Sequence, residues 1–198
     1  MIVGIDEAGR GPLAGMVVAC ALYLKNKPDF KVRDSKLISA SKREEIFSWL
    51  IDNAEFAVGI ADSEEIDEIN ILNATMLAFD RAIKKLLNKF PHLVKANFIV
   101  DGNLFKTDLK IKYTCIVKAD RTILEVSSAS IVAKVVRDHL MQGVDFLYPE
   151  WGFAKHKGYP TSEHFALIKK HSLTPFHRIS FSPCSKEQIK QRVSKVKI

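Results

Sequence analysis

Two carboxylates stand side by side, Asp6 and Glu7, at the end of the apolar run Ile2–Ile5. The chain follows them at once with the glycine-rich stretch AGRGPLAG before a second apolar run, MVVACALYL, begins. Burying even one carboxylate beside an apolar strand is costly without a partner. An acid-ended strand that returns through glycines into another strand therefore reads as the opening of an α/β unit with its acids delivered to a strand end. The second run, Met16–Leu24, is well short of the ~20 residues a membrane helix needs and reads as a buried strand.

Further along, Ser39 or Ser41 can cap a helix SKREEIFSWLIDN with Ile46, Phe47, Leu50 and Ile51 on one face. AEFAVGIAD alternates like a strand. A longer amphipathic helix is expected from about Ile69 to Phe90, stopped by Pro91. ANFIVDG is a short strand ending on Asp101 and Gly102, and KYTCIVKAD a strand ending on Asp120. From Thr122 to about Met141 the pattern is helical, with the small residues Ser127, Ser130 and Ala133 on a face suited to close packing on a sheet. Near Tyr148 the composition shifts to aromatics, Gly, Pro and basic residues, which gives two expected regions, 1–147 and 148–198. Ser185 to Val196 reads as a last basic helix, with Ser185 and Gln188 spaced as a capping box.

At 198 residues, with 30 Lys+Arg against 23 Asp+Glu and a net charge of +7, the chain favours an acidic partner such as nucleic acid or an anionic membrane surface. No charged leader precedes the first strand, so no secretory signal is expected. Cys20, Cys115 and Cys184 are an odd number without C-x-x-C spacing, which indicates neither a disulfide framework nor a zinc site. His156, His164, His171 and His177 lack ligand spacing as well. The cytoplasm is the expected compartment.

Asp6 and Glu7, Asp101 and Asp120 share one setting, the ends of separate apolar strands. Ligands bind at carboxyl ends of strands in α/β sheets, and acids converging there repel unless a cation sits among them. Oxygen ligands without His or Cys suit Mg²⁺ or Mn²⁺, and several such acids can hold two ions for in-line phosphodiester hydrolysis. The alternative for each single Asp is an ordinary turn former. Gly9, Gly11 and Gly15 also invite a dinucleotide-binding reading, although their spacing is one residue too long and no convincing helix follows.

DEAGRGPLAG at Asp6–Gly15, RDSKLIS at Arg33–Ser39, IVDGN at Ile99–Asn103, KAD with SSASIVAKVVRD through Asp138, HKGYPTSEH at His156–His164 and HRISF at His177–Phe181 occur in this order. Together they resemble the type 2 ribonucleases H, over almost the whole chain. The resemblance implies an α/β ribonuclease H-like fold with a mixed central sheet flanked by helices and a small, mainly helical C-terminal region. It implies that Asp6, Glu7, Asp101 and Asp120 hold two divalent metal ions, Mg²⁺ or Mn²⁺. It further implies hydrolysis of the RNA strand of RNA–DNA hybrids, and cutting 5′ of single ribonucleotides in duplex DNA. Gly9, Arg10 and Gly11 then read the 2′-hydroxyl through their backbone, where a residue without Cβ allows close approach. Tyr159 matches the tyrosine that bonds the same hydroxyl and stacks on the next sugar. Ser35, Lys36 and Arg178 are candidate phosphate contacts, which position a duplex without reading sequence.

Asp138 lies four residues after Lys134 on the expected helix and reads as a structural partner of that lysine. His164 reads as structural too. The family implies a monomer, and the terminal QRVSKVKI lacks the aromatic pair of a sliding-clamp peptide. A catalytically silent nucleic-acid-binding module is the rival that uses the same basic surface.

Overall fold

The computed structural model describes residues 1–30, 38–171 and 173–184. In chain order the elements are β1 (Ile2–Ala8), β2 (Val17–Leu24), α1 (Ala40–Asn53), β3 (Ala54–Ala61), α2 (Ser63–Lys89), β4 (Asn97–Asp101), β5 (Lys112–Ile116), α3 (Leu124–Leu147), α4 (Phe153–His156) and α5 (Ser162–Lys170). The strands form one mixed sheet in the order β3-β2-β1-β4-β5. β1, β2 and β3 pair antiparallel, whereas β4 pairs parallel to both β1 and β5.

The continuous apolar run of β2 is explained by helices on both sides of the sheet. Successive side chains of a strand point to opposite faces. Val17, Ala19 and Ala21 accordingly join Val3, Ile5, Phe98 and Val100 under α2, packed on Ala78, Phe79, Ala82 and Ile83. Val18, Cys20 and Leu22 pack on the other face against Ile46 and Leu50 of α1 and Ala129, Val132 and Ala133 of α3. A third cluster joins Leu13 and Ala14, in the turn after β1, to Met141, Trp151, Phe153 and Ile168. The segment beyond α3 thus packs on the glycine-rich turn.

Several expected boundaries move. The long helix begins at Ser63, because Asp62 caps it with a full capping box: its side chain accepts from Glu65 N–H, and the Glu65 carboxylate accepts from Asp62 N–H. The apolar period is interrupted at Asn70 (φ 66°), whose side-chain oxygen accepts the N–H groups of Leu72 and Asn73 and restarts the helix. Ile51 turns outward and is exposed, while Ile46 and Leu50 are buried as expected. The glycine-rich turn leads into antiparallel β2 and not into a helix, so the dinucleotide alternative lacks the helix N-terminus it requires. Ser35, Lys36 and the basic helix expected from Ser185 lie outside the described residues. None of the described helices is long and apolar enough to cross a membrane.

β1 meets α3 so closely that a Cβ added at Gly4 would lie 2.2 Å from the Glu125 carbonyl carbon. Overpacking of this kind costs roughly 1–3 kcal/mol. Gly4→Ala is therefore expected to lower the urea-unfolding free energy by about that amount, and a change below about 0.5 kcal/mol would contradict the β1–α3 contact.

Candidate active site

β1 continues to Ala8, so Asp6 and Glu7 lie inside the strand and not beyond it. Its parallel register with β4 pairs Ile5 with Val100, and one further step brings Asp6 beside Asp101. Asp6 is buried. Burial holds its carboxyl well above the usual carboxylate range, and the charges of Glu7 and Asp101 push the same way. The Ser130 hydroxyl and the Glu7 N–H oppose the rise.

Asp120 does not end a strand. β5 stops at Ile116, and Lys118 adopts a left-handed conformation (φ 60°) that turns the chain into a single 3₁₀ turn, Ala119–Arg121, with Asp120 buried in it. The strand propensity of KYTCIV extends past the point where this turn takes over. Asp101 Oδ1 accepts the Ala119 N–H at 2.7 Å, which ties β4 to the turn bearing Asp120. The carboxyl of Asp6 feels the charges of Glu7 and Asp101, and Asp120 follows the residue bonded to Asp101. Among the described residues, no three acidic, histidine or cysteine side chains are grouped closely enough to hold a metal ion as they stand. The donor set is nevertheless all oxygen, part-buried and self-repelling, which fits a hard divalent cation.

The turn after β1 is held from beneath by two arginines. Arg178 is fully buried and donates to the carbonyls of Gly9 (2.6 Å), Arg10 (3.0 Å), Pro12 (2.8 Å) and Gly15 (2.8 and 2.9 Å). Arg137 of α3, also fully buried, donates to Ala14, Met16 and Lys157 carbonyls. The expectation that Arg178 contacts phosphate is therefore corrected: its fork faces inward and its donors are taken by backbone. Burial and the neighbouring Arg137 push its pKa down to about 9. Gly9 has φ +103°, a conformation L side chains rarely adopt, and a Cβ there would strike Arg137 at 2.2 Å. A Cβ at Gly11 would meet no protein atom within 4 Å. The Arg10 guanidinium is half exposed and stands 3.6 Å from Glu7.

Glu7, Gly9, Arg10, Gly11, Ser130, Lys134 and Tyr159 line one cleft of about 390 Å³. Two cations of α3 approach the ring of Tyr159, Lys134 Nζ and Arg137 Cζ, each 5.6 Å from its centroid. Lys134 is held at 2.6 Å by Asp138, which gives Asp138 the structural place expected of it. Ser130 and Lys134 are functional candidates that the sequence reading passed over as packing and pairing residues. Their spacing of one helical turn on α3, continued by Asp138, is the signal that could have found them.

The family model of ribonuclease HII matches residues 3–184. The chain belongs to the ribonuclease HII family. A ribonuclease HII of Pseudothermotoga lettingae is 47% identical over 182 residues, covering 92% of this chain and 77% of that protein. The crystal structure of the ribonuclease H2 from Pyrococcus horikoshii OT3 superposes with a TM-score of 0.68 at 25% identity, covering 98% and 99% of the two chains. Bst-RNase HIII, solved in complex with Mn²⁺, shares the fold with a TM-score of 0.69 at 18% identity over 99% of this chain and 70% of that one. The chain is a metal-dependent nuclease of the type 2 ribonuclease H kind with the expected mixed-sheet fold.

The region after α3 supports the cleft through a histidine relay. Thr174 N–H donates to His177 Nδ1 at 3.0 Å, so His177 carries its proton on Nε2 and donates it to His164 Nε2 at 3.1 Å. His164 Nδ1–H then donates to the Tyr159 carbonyl at 3.0 Å. Both rings are neutral, and burial pushes their pKa values down, His164 to about 4 and His177 to about 3. Because the unfolded histidines titrate near 6.5, the unfolded state binds more protons below that pH. The relay's contribution is complete above pH 6.5 and is lost as pH falls towards 4 and then 3. Asp6, with its raised pKa, titrates in the opposite sense. Comparing wild type with His177→Gln isolates the relay: the fall in thermal stability between pH 7 and 4 should be shallower in the variant, and equal slopes would contradict neutral, bonded histidines.

Proposed function

We propose that this protein hydrolyses the RNA strand of RNA–DNA hybrids and also cuts 5′ of a single ribonucleotide in duplex DNA, leaving a 3′-hydroxyl and a 5′-phosphate. The observation that carries this reading is the shared cleft. Glu7, from the carboxylate group, faces the same space as Gly9, Arg10, Gly11 and Tyr159. The group that cuts and the groups that find a ribonucleotide thus address one nucleotide.

Asp6, Glu7, Asp101 and Asp120 would hold two divalent cations, Mg²⁺ or Mn²⁺. When bound, such ions supply a nucleophilic water and charge stabilisation at the leaving 3′-oxygen. The chain's own residues do the rest. Asp6 is kept in place by Ser130, and Asp101 by the Ala119 N–H, so the carboxylates are oriented before substrate arrives. Gly11 leaves space for a sugar, since its missing Cβ serves no internal packing. Tyr159, 37% exposed and approached by Lys134 and Arg137, presents a ring and a hydroxyl at the cleft. Lys134 and Arg10 add positive charge for the phosphates. The enzyme acts as a monomer in the cytoplasm on this reading, in keeping with three free cysteines.

A duplex bearing one ribonucleotide, incubated with Mg²⁺ or Mn²⁺, should yield a single cut on its 5′ side. Asp101→Asn should lower the rate by at least about a thousandfold, on the scale of losing a main electrostatic element, while leaving hybrid affinity largely intact. Near-normal turnover in that variant would overturn the ligand assignment, and no cut with either ion would overturn the substrate.

A further inference from the structure

The fully buried Arg178 bonds carbonyls on either side of Gly11, and this fixes where the intervening amides point. In a trans peptide the N–H lies opposite the C=O of the same unit. The Gly9 carbonyl is drawn inward to Arg178, so the Arg10 N–H of that unit is directed outward. The Arg10 carbonyl is drawn inward likewise, so the Gly11 N–H is directed outward too. The Pro12 carbonyl shows the same geometry completed within the protein. It also bonds Arg178, and the Leu13 N–H of its unit donates away from the guanidinium to the Gly158 carbonyl at 2.8 Å. No hydrogen bond among the described residues uses the N–H of Arg10 or Gly11. Both residues line the cleft.

We propose that Arg178 is a positioning residue for ribonucleotide recognition: by binding the Gly9 and Arg10 carbonyls from below, it turns the Arg10 and Gly11 amides into the cleft as a paired donor for a sugar oxygen. The inference rests on the substrate reading above. It accounts for a guanidinium in the interior without a carboxylate bonded to it, since its donors are matched by carbonyls of one turn. The segment carrying Arg178 is itself fixed, because the Asp67 carboxylate accepts the N–H groups of Ile179 and Ser180 at 2.8 Å each. Lysine cannot replace it. An ammonium keeps the charge but is a point donor, whereas the planar fork spans Gly9, Arg10, Pro12 and Gly15 together.

The test compares binding of two labelled duplexes of one sequence, one with a single ribonucleotide and one all-deoxy, in Ca²⁺, for wild type, Arg178→Lys and Arg178→Gln. Affinity for the all-deoxy duplex serves as the internal reference in each protein, since it depends on phosphate charge. The ratio of the two Kd values should exceed one in wild type and fall towards one in both variants, measured well below their melting temperatures. A purely structural role would lower Tm and leave the ratio unchanged, and that result overturns the proposal. A wild type that neither prefers nor cuts the ribonucleotide duplex overturns the substrate reading instead. Should neither variant fold, the wild type decides by amide chemical shifts. The Arg10 and Gly11 signals should move with the ribonucleotide duplex and not with the all-deoxy one, and unmoved signals overturn the proposal.

Discussion

Two guanidinium groups buried under one turn hold this molecule's functional parts in register. Arg137 comes from α3 and Arg178 from the segment after α5, and both are capped by carbonyls of residues 9 to 16. An interior charge is tolerable only when its donors are met, and here the turn itself meets them. The turn therefore cannot relax without stranding two cations. That constraint fixes the backbone next to Asp6 and Glu7, draws α3 with Ser130 and Lys134 against β1, and sets Tyr159 above Arg137.

Charge is separated across the same turn. Acids on the strands repel one another, and burial raises Asp6. Cations lie on the opposite side, and burial lowers Arg178. The cleft between them is suited to a ligand that brings both signs, a phosphodiester with divalent metal ions. The histidine relay adds rigidity without charge, since its rings are neutral where it supports the Tyr159 carbonyl.

Local chemistry made much of this legible. The acids of β1 and β4, the two-sided burial of β2 and the pairing of Lys134 with Asp138 follow from periodicity and spacing alone. The start of α2 was written in the sequence as the capping box Asp62 to Glu65, but the break at Asn70 hides the apolar period that would join it to the longer helix. Asp120 was misplaced because strand propensity does not reveal a left-handed Lys118. Arg178 was beyond reach for a deeper reason. A basic residue in a proline-bounded segment reads as solvated, and its burial depends on carbonyls more than 160 residues away in the chain. No local pattern encodes a partner that only the tertiary fold supplies.

The central claim is that the β1 and β4 carboxylates hold the ions that cut beside the turn. The most direct measurement is anomalous scattering from crystals of the wild-type enzyme soaked in Mn²⁺. Peaks should appear between the carboxylates of Asp6 and Asp101, with Glu7 and Asp120 within ligand distance. Mn²⁺ bound elsewhere in an enzyme that still cleaves, with no density among these four side chains, would contradict the account.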